Sequence, residues 1–243
     1  MLSWKAKALP AALLTLAVLA AAPLAHSSCG SPGYTYAGVS GSDHVAGVAA
    51  RITPLSAFDV LGGHVASYVG VGGVGQGPSG STEWLQVGMS AFNGLVGHSL
   101  YYEVARPGGV PTYHEVLTNL SAGDTHRVAV LEMAKHRSWW RVWVDGRPTT
   151  KPILLPGSHL RWRPVATAES WGGGVSRCNS YAYRFDRVSI TSHAGGTWKR
   201  LDSGTVFYDP GYRVERRTLA SFVASRSTQS ENLPRRQILS FRR

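Results

Sequence analysis

The chain has 243 residues, two cysteines and a formal net charge of +11, with a sequence pI of about 10.1. Its length fits one sizeable domain with a single core, and its two cysteines exclude a disulfide-dense mini-scaffold. The charge is uneven: residues 213–243 hold eight Arg against two Glu, so the basicity belongs largely to the C-terminal stretch, read as a solvated end in preference to a binder of nucleic acid, acidic polysaccharide or an anionic membrane surface.

Residues 1–27 read as a secretory leader. Lys5 and Lys7 supply a positive start, residues 9–24 form a short apolar run, and Ala25-His26-Ser27 puts small residues, Ala25 and Ser27, at the spacing cleavage needs. The run is short for a membrane span, so no stable span is expected once the leader is removed. A lipid-attached form at Cys29 is the rival reading, but His26 stands where such sites carry an aliphatic residue. The expected form is therefore a freely secreted, extracellular monomer. In an exported chain the two cysteines, Cys29 and Cys178, are expected to pair, contributing about 4–5 kcal/mol in the chain-entropy model. Arginine outnumbers lysine and Ala and Gly are abundant, a bias found in GC-rich bacterial chains.

Taken in order, residues 29–42 are rich in Gly, Ser, Pro and Tyr and read as a loop-like lead-in. Residues 44–53 read as a short strand, and 60–75 as an apolar run with many glycines. A turn cluster at 76–81 precedes the most informative stretch, Trp84-Leu-Gln-Val-Gly-Met. This stretch alternates with period two: Leu85, Val87 and Met89 face a core, while Trp84, Gln86 and Gly88 share the opposite face. An amide between an indole and a glycine fits a groove floor, with Gly88 leaving backbone open to close approach. It equally fits an ordinary solvated strand face.

Further strands are predicted at 99–104, 125–133, 138–144, 165–171 and 181–190, with Asp145-Gly146 marking a hairpin. A helix is conceivable only near 218–224. Residues 213–243 read as a basic, poorly ordered tail beyond a domain at 28–212. Many short strands, frequent Gly/Pro turns and no βαβ alternation predict an all-β sandwich or barrel.

Several chemistries find no footing. The glycine run at 70–75 lacks the helix that a phosphate loop needs, and no serine sits in a nucleophile elbow. His44, His64, His98 and His114 lie scattered, without metal-ligand spacing. Five glutamates, Glu83, Glu103, Glu115, Glu132 and Glu169, could supply acid-base pairs that sequence alone cannot match. Exposed aromatic residues, Trp84, Tyr101, Trp139 or Trp143, could stack on sugar rings. They keep a carbohydrate- or cell-wall-binding sandwich as the alternative.

Five blocks then occur in a telling order: Tyr68-Val-Gly-Val-Gly-Gly, Trp84-Leu-Gln-Val-Gly, Tyr101-Tyr-Glu, Ser121-Ala-Gly-Asp and Ala168-Glu-Ser-Trp. In this order and spacing the chain resembles the glutamic peptidases (eqolisins, scytalidoglutamic-peptidase-like), as a divergent, bacterial-type member. The resemblance covers roughly residues 47–190. It implies a two-sheet antiparallel sandwich of the concanavalin A-like jelly-roll kind, and a secreted endopeptidase acting on polypeptides at acidic pH. By motif, Gln86 and Glu169 fall on the family's catalytic pair. Trp84, Gly88, Tyr101, Glu103 and Trp171 fall on supporting or substrate-binding positions. No metal, cofactor or nucleic-acid partner is implied. Gly72 stands where the family has Asp in its Ile-Asp-Gly turn, Tyr101 replaces a Trp, and residues 170–174 are looser than the family pattern. The fungal members are acidic proteins, whereas this chain is strongly basic.

Overall fold

The computed structural model describes residues 33–172, 178–227 and 239–241. The expected leader and Cys29 lie outside them. Strands follow in the order β1 (Tyr34–Gly41), β2 (Gly47–Pro54), β3 (Asp59–Val60), β4 (His64–Gly73), β5 (Glu83–Phe92), β6 (His98–Ala105) and β7 (Thr112–Leu120). Next come β8 (His126–Glu132), β9 (Trp139–Val144), β10 (Arg147–Pro148), β11 (Ile153–Leu154), β12 (Pro164–Trp171), β13 (Asn179–Ser180) and β14 (Ala182–Thr191). The series closes with β15 (Lys199–Arg200), β16 (Gly204–Tyr208), β17 (Tyr212–Thr218), β18 (Ser221–Arg226) and β19 (Leu239–Phe241). Among the described residues the only helical element is a 3-10 turn at Pro78–Gly80.

Two sheets carry the fold, with every strand pair antiparallel. The first runs β19-β16-β1-β12-β4-β5-β6-β7. The second has the path β10-β9-β8-β2-β14-β18-β17, with β11 and β15 paired at its margins. The small ladder of β13 with β3 stands apart. The sheets meet through β4 and β5 against β2 and β8. Each strand offers its alternate apolar residues to this interface. Val65, Val69, Leu85, Val87, Met89 and Leu100 come from the first sheet, and Val48, Ile52, Val128, Val130 and Val142 from the second. Fully burying one such side chain contributes about 1.5–3 kcal/mol. Trp140 stacks on Trp162 and Phe185 on Phe222 within the same core. The architecture is the all-β, two-sheet antiparallel jelly roll expected from the sequence.

Three expectations change. The lead-in at 29–42 contains β1, which lies in the middle of the first sheet between β12 and β16. Its Tyr, Gly and Ser composition hides a strand whose Ala37 and Val39 are completely buried. The conceivable helix at 218–224 is instead the turn and second strand of a hairpin, β17–β18. The basic tail expected beyond 212 therefore begins inside the domain: Tyr212, Phe222 and Ala224 pack inward, while Arg216 and Arg217 point to water. Backbone at 239–241 also returns, pairing with β16. Arginine-rich composition conceals the alternation, because only the inward positions carry the strand signal.

Candidate active site

The first sheet turns one face to the core and leaves the other open. β5 sets Leu85, Val87 and Met89 inward, so Trp84 and Gln86 lie on the open face, as the alternation predicts. Cross-strand register then fixes what stands beside them. Gln86 pairs across to Gly70 on β4 and to Glu103 on β6. Glu169, on β12, pairs across to Ala66 on β4 and to Tyr36 on β1. Gln86 and Glu169 therefore flank β4 on opposite sides, four residues apart along it, with Tyr68 between them.

These residues line one cleft of about 270 Å³, whose walls include Tyr34, Tyr36, Tyr68, Trp84, Gln86, Glu103 and Glu169. A second hollow, sharing Glu103 and Glu169, continues the groove past His64, Tyr101 and Tyr113. Gln86 and Glu169 are both buried, at 9% and 6% exposure, although neither faces the hydrophobic core. Tyrosines of the open face cover them.

Gln86 is held by its amide. Nε2 donates to the Tyr101 hydroxyl at 3.2 Å and reaches Glu103 Oε2 at 3.5 Å. Tyr101 is buried and stacks on Tyr113, whose hydroxyl meets Ser90 Oγ at 2.9 Å. Burial first, and then the charges of Glu169 and Glu103, push the Tyr101 phenol well above its ordinary range, so it stays protonated. Tyr68 is pushed up in the same way, by burial and then by Glu169.

Glu169 has His64 as its neighbour, with Nε2 3.4 Å from Oε1. The His64 ring lies between Trp171, stacked at 5.9 Å between centroids, and Phe92. Glu103 is pushed above the usual carboxylate range, chiefly by burial and then by the charge of Glu169. His64 opposes that shift, as does the indole N–H of Trp84, which is near Glu103 but short of hydrogen-bonding geometry.

Of the seven residues singled out by the sequence, six gather here. Gln86, Glu169, Trp84 and Glu103 line the cleft, Tyr101 anchors the amide and lines the adjoining hollow, and Trp171 backs His64. Gly88 does something else. A Cβ there would collide with the Ser67 carbonyl and lie 2.6 Å from Tyr68 Cα, so the backbone that approaches it is the neighbouring strand β4 and not a ligand. Gly72 has φ +83°, and a Cβ there would strike the Glu83 carbonyl. The aromatic residues considered for sugar stacking do not form one surface. Trp84 and Tyr101 belong to the first sheet, while Trp139 and Trp143 lie on β9 of the second.

Sequence reasoning misses His64, Tyr34, Tyr36 and Tyr113. His64 is legible in principle: it begins the same alternation, His64, Ala66, Tyr68, Gly70, that runs beside Gln86. Cys178 is buried and is not a free thiol. No cluster of three His, Cys, Asp or Glu side chains suited to a metal is found among the described residues. Nor does any helix there have the length and apolarity to cross a membrane.

No family model and no curated protein matches the chain. Solved structures do match. Scytalido-glutamic peptidase with a transition-state-analogue inhibitor aligns with a TM-score of 0.57 at 17% identity, covering 81% of this chain and 100% of that one. An eqolisin-family peptidase, SCP-B, in complex with the tripeptide Ala-Ile-His, aligns with a TM-score of 0.51 at 17% identity, covering 81% and 98%. At these identities the likeness establishes the fold: the chain has a glutamic-peptidase-like sandwich.

Proposed function

We propose that the protein is a secreted glutamic-type endopeptidase, with Gln86 and Glu169 as its catalytic pair. The observation that carries this reading is the cleft itself. Two polar side chains, 83 positions apart in sequence, line one groove on the open face of a peptidase-like sheet. An extended peptide laid over Tyr68 meets both.

In this reading the Glu169 carboxylate takes a proton from a water molecule as the water oxygen bonds to the peptide carbonyl carbon. The same proton then passes to the departing amine nitrogen as the C–N bond breaks. A primary amide does not ionise, so Gln86 serves as a fixed donor to the oxyanion. Its N–H toward Glu103 is held at long range and is the one free to turn to that oxygen. His64 orients the carboxylate, Tyr101 and Glu103 position the amide, and Trp84 walls the cleft. Export by the 1–27 leader and a Cys29–Cys178 bridge belong to the same proposal. The substrate is polypeptide, and no cofactor enters the scheme.

The test is cleavage of an unfolded protein by the purified mature chain at acidic pH. Glu169→Gln abolishes cleavage with the near-UV dichroism of the fold unchanged. Removing the amide with Gln86→Ala lowers kcat by about 10²–10³. Undiminished proteolysis by the Glu169 variant rejects the assignment. The carbohydrate-binding alternative has no comparable observation, since its stacking aromatics are divided between the two sheets.

A further inference from the structure

The catalytic cleft does not end at Trp84. A second pocket of about 530 Å³ adjoins it, sharing the walls Gly72 and Val165, and is lined further by Ser40, His44, Arg161 and Arg163. Among the described residues no acidic side chain lines it. Among the described residues no carboxylate forms an ion pair with either arginine.

The arginines stand on a pinned segment. Between them Trp162 is 1% exposed, stacks on Trp140, and donates its indole N–H to the Gln76 carbonyl at 3.0 Å. Its own carbonyl accepts from the Val45 N–H at 3.0 Å, and the Arg161 N–H donates to the Ser158 carbonyl at 3.2 Å. With Trp162 driven inward, Arg161 and Arg163 both point outward, into the pocket. Two guanidiniums on an anchored segment, neither with an ion-pair partner among the described residues, suit a carboxylate, which a guanidinium engages through a bidentate fork.

We infer that Arg161 and Arg163 form a specificity subsite that binds a carboxylate of the peptide substrate. This rests on the peptidase reading above. Register gives the spacing. Val165, shared by cleft and pocket, lies four residues from Glu169 on β12, roughly 13 Å, and two strand spacings from Gln86 across Gly70, roughly 10 Å, with Arg163 and Arg161 beyond it. An extended substrate covers these distances in three to four residues. The favoured substrate therefore carries its carboxylate three or four residues from the cleaved bond. The carboxylate belongs to an acidic side chain or to the chain terminus.

Internally quenched peptides, identical except for Glu, Gln or Lys scanned three and four residues to either side of the bond, test this at pH 5–6. One set has amidated C-termini and one has free C-termini. The expected result is at least a tenfold higher kcat/KM for Glu over Gln at one such position. That ratio falls to about one in Arg161→Ala/Arg163→Ala, and favours Lys in Arg161→Glu/Arg163→Glu, with folding checked by circular dichroism. A gain confined to free C-termini assigns the site to the chain end. A wild-type enzyme indifferent to the substitution, or a preference surviving in the double alanine variant, overturns the subsite while leaving the peptidase reading intact. If no peptide is cleaved, fluorescence anisotropy with the labelled Glu and Gln peptides decides it. Tighter binding of the Glu peptide that requires both arginines upholds the subsite without the peptidase, and equal binding overturns it.

Discussion

Glu103 and Glu169 share the cleft, and the charge of Glu169 helps to hold the Glu103 carboxyl above the ordinary carboxylate range. The consequence reaches Gln86, whose N–H points at Glu103 Oε2. While Glu103 is protonated that contact is weak and the amide can serve an oxyanion. Once Glu103 ionises, the contact becomes charge-assisted and competes with the oxyanion.

A raised pKa keeps the proton on Glu103 to a higher pH than usual, so the activity of the proposed peptidase persists through mild acid and falls as pH rises past the Glu103 pKa. Glu103→Gln removes that ionisation, and the descending limb of kcat/KM against pH moves up by about one unit or more. An unchanged profile in the variant would show that Glu103 does not control Gln86.

Much of this site is legible in the sequence. The alternation of Trp84 to Met89 puts Gln86 on the open face, where it is found, because one buried face leaves a strand no freedom of register. What stays hidden depends on partners. Glu169 cannot be matched with Gln86 without the strand order that sets β4 between them. β7 gives no strand signal because its exposed edge position demands little apolar character, yet it supplies Tyr113 to the anchor of Tyr101. β1 and the β17–β18 hairpin are masked by Gly/Ser/Tyr and arginine composition.

Gly72 stands where the resemblance to glutamic peptidases expects Asp, and the local backbone explains the glycine. With φ +83° and the Trp84 Cα 2.9 Å from any Cβ, the position accepts only glycine without strain. Gly72→Asp therefore does not raise the activity of the proposed peptidase. It destabilises the fold by at least ~1–3 kcal/mol, the cost of a strained left-handed conformation. Thermal melts and kcat/KM measured together check this, and a variant both stable and faster would contradict it.

At Gly88 the constraint is purely steric. Its absent side chain lets β4 and β5 close so that Tyr68 and Tyr101 flank it across the ladder. Gly88→Ala pushes against the Ser67 carbonyl, a backbone atom that cannot rotate away. The expected cost is on the order of 1–3 kcal/mol or more, as for overpacked cores. Because β4 must shift, kcat falls along with stability. Unchanged denaturant midpoints would show that the strands accommodate the methyl group.

Glu83 opens β5 opposite Gly73, at the base of the turn that edges the cleft. Its side chain is completely buried, neither carboxyl oxygen has a hydrogen-bond partner, and burial alone pushes it from 4.5 to about 7. Its folded-state pKa thus lies above its unfolded value. The native state binds this proton more tightly, so the stabilisation is full below pH 4.5 and is lost as pH climbs to about 7. Glu83→Gln keeps the shape without the ionisation. The variant gains roughly 1–3 kcal/mol over the parent at pH 8, and the difference fades toward pH 4. Urea melts across pH read this out, and a gap that stays constant from pH 4 to 8 would mean that Glu83 remains charged in the fold. A protein that loses stability as its buried carboxyl ionises keeps its cleft edge best ordered in acid, where the proposed peptidase works.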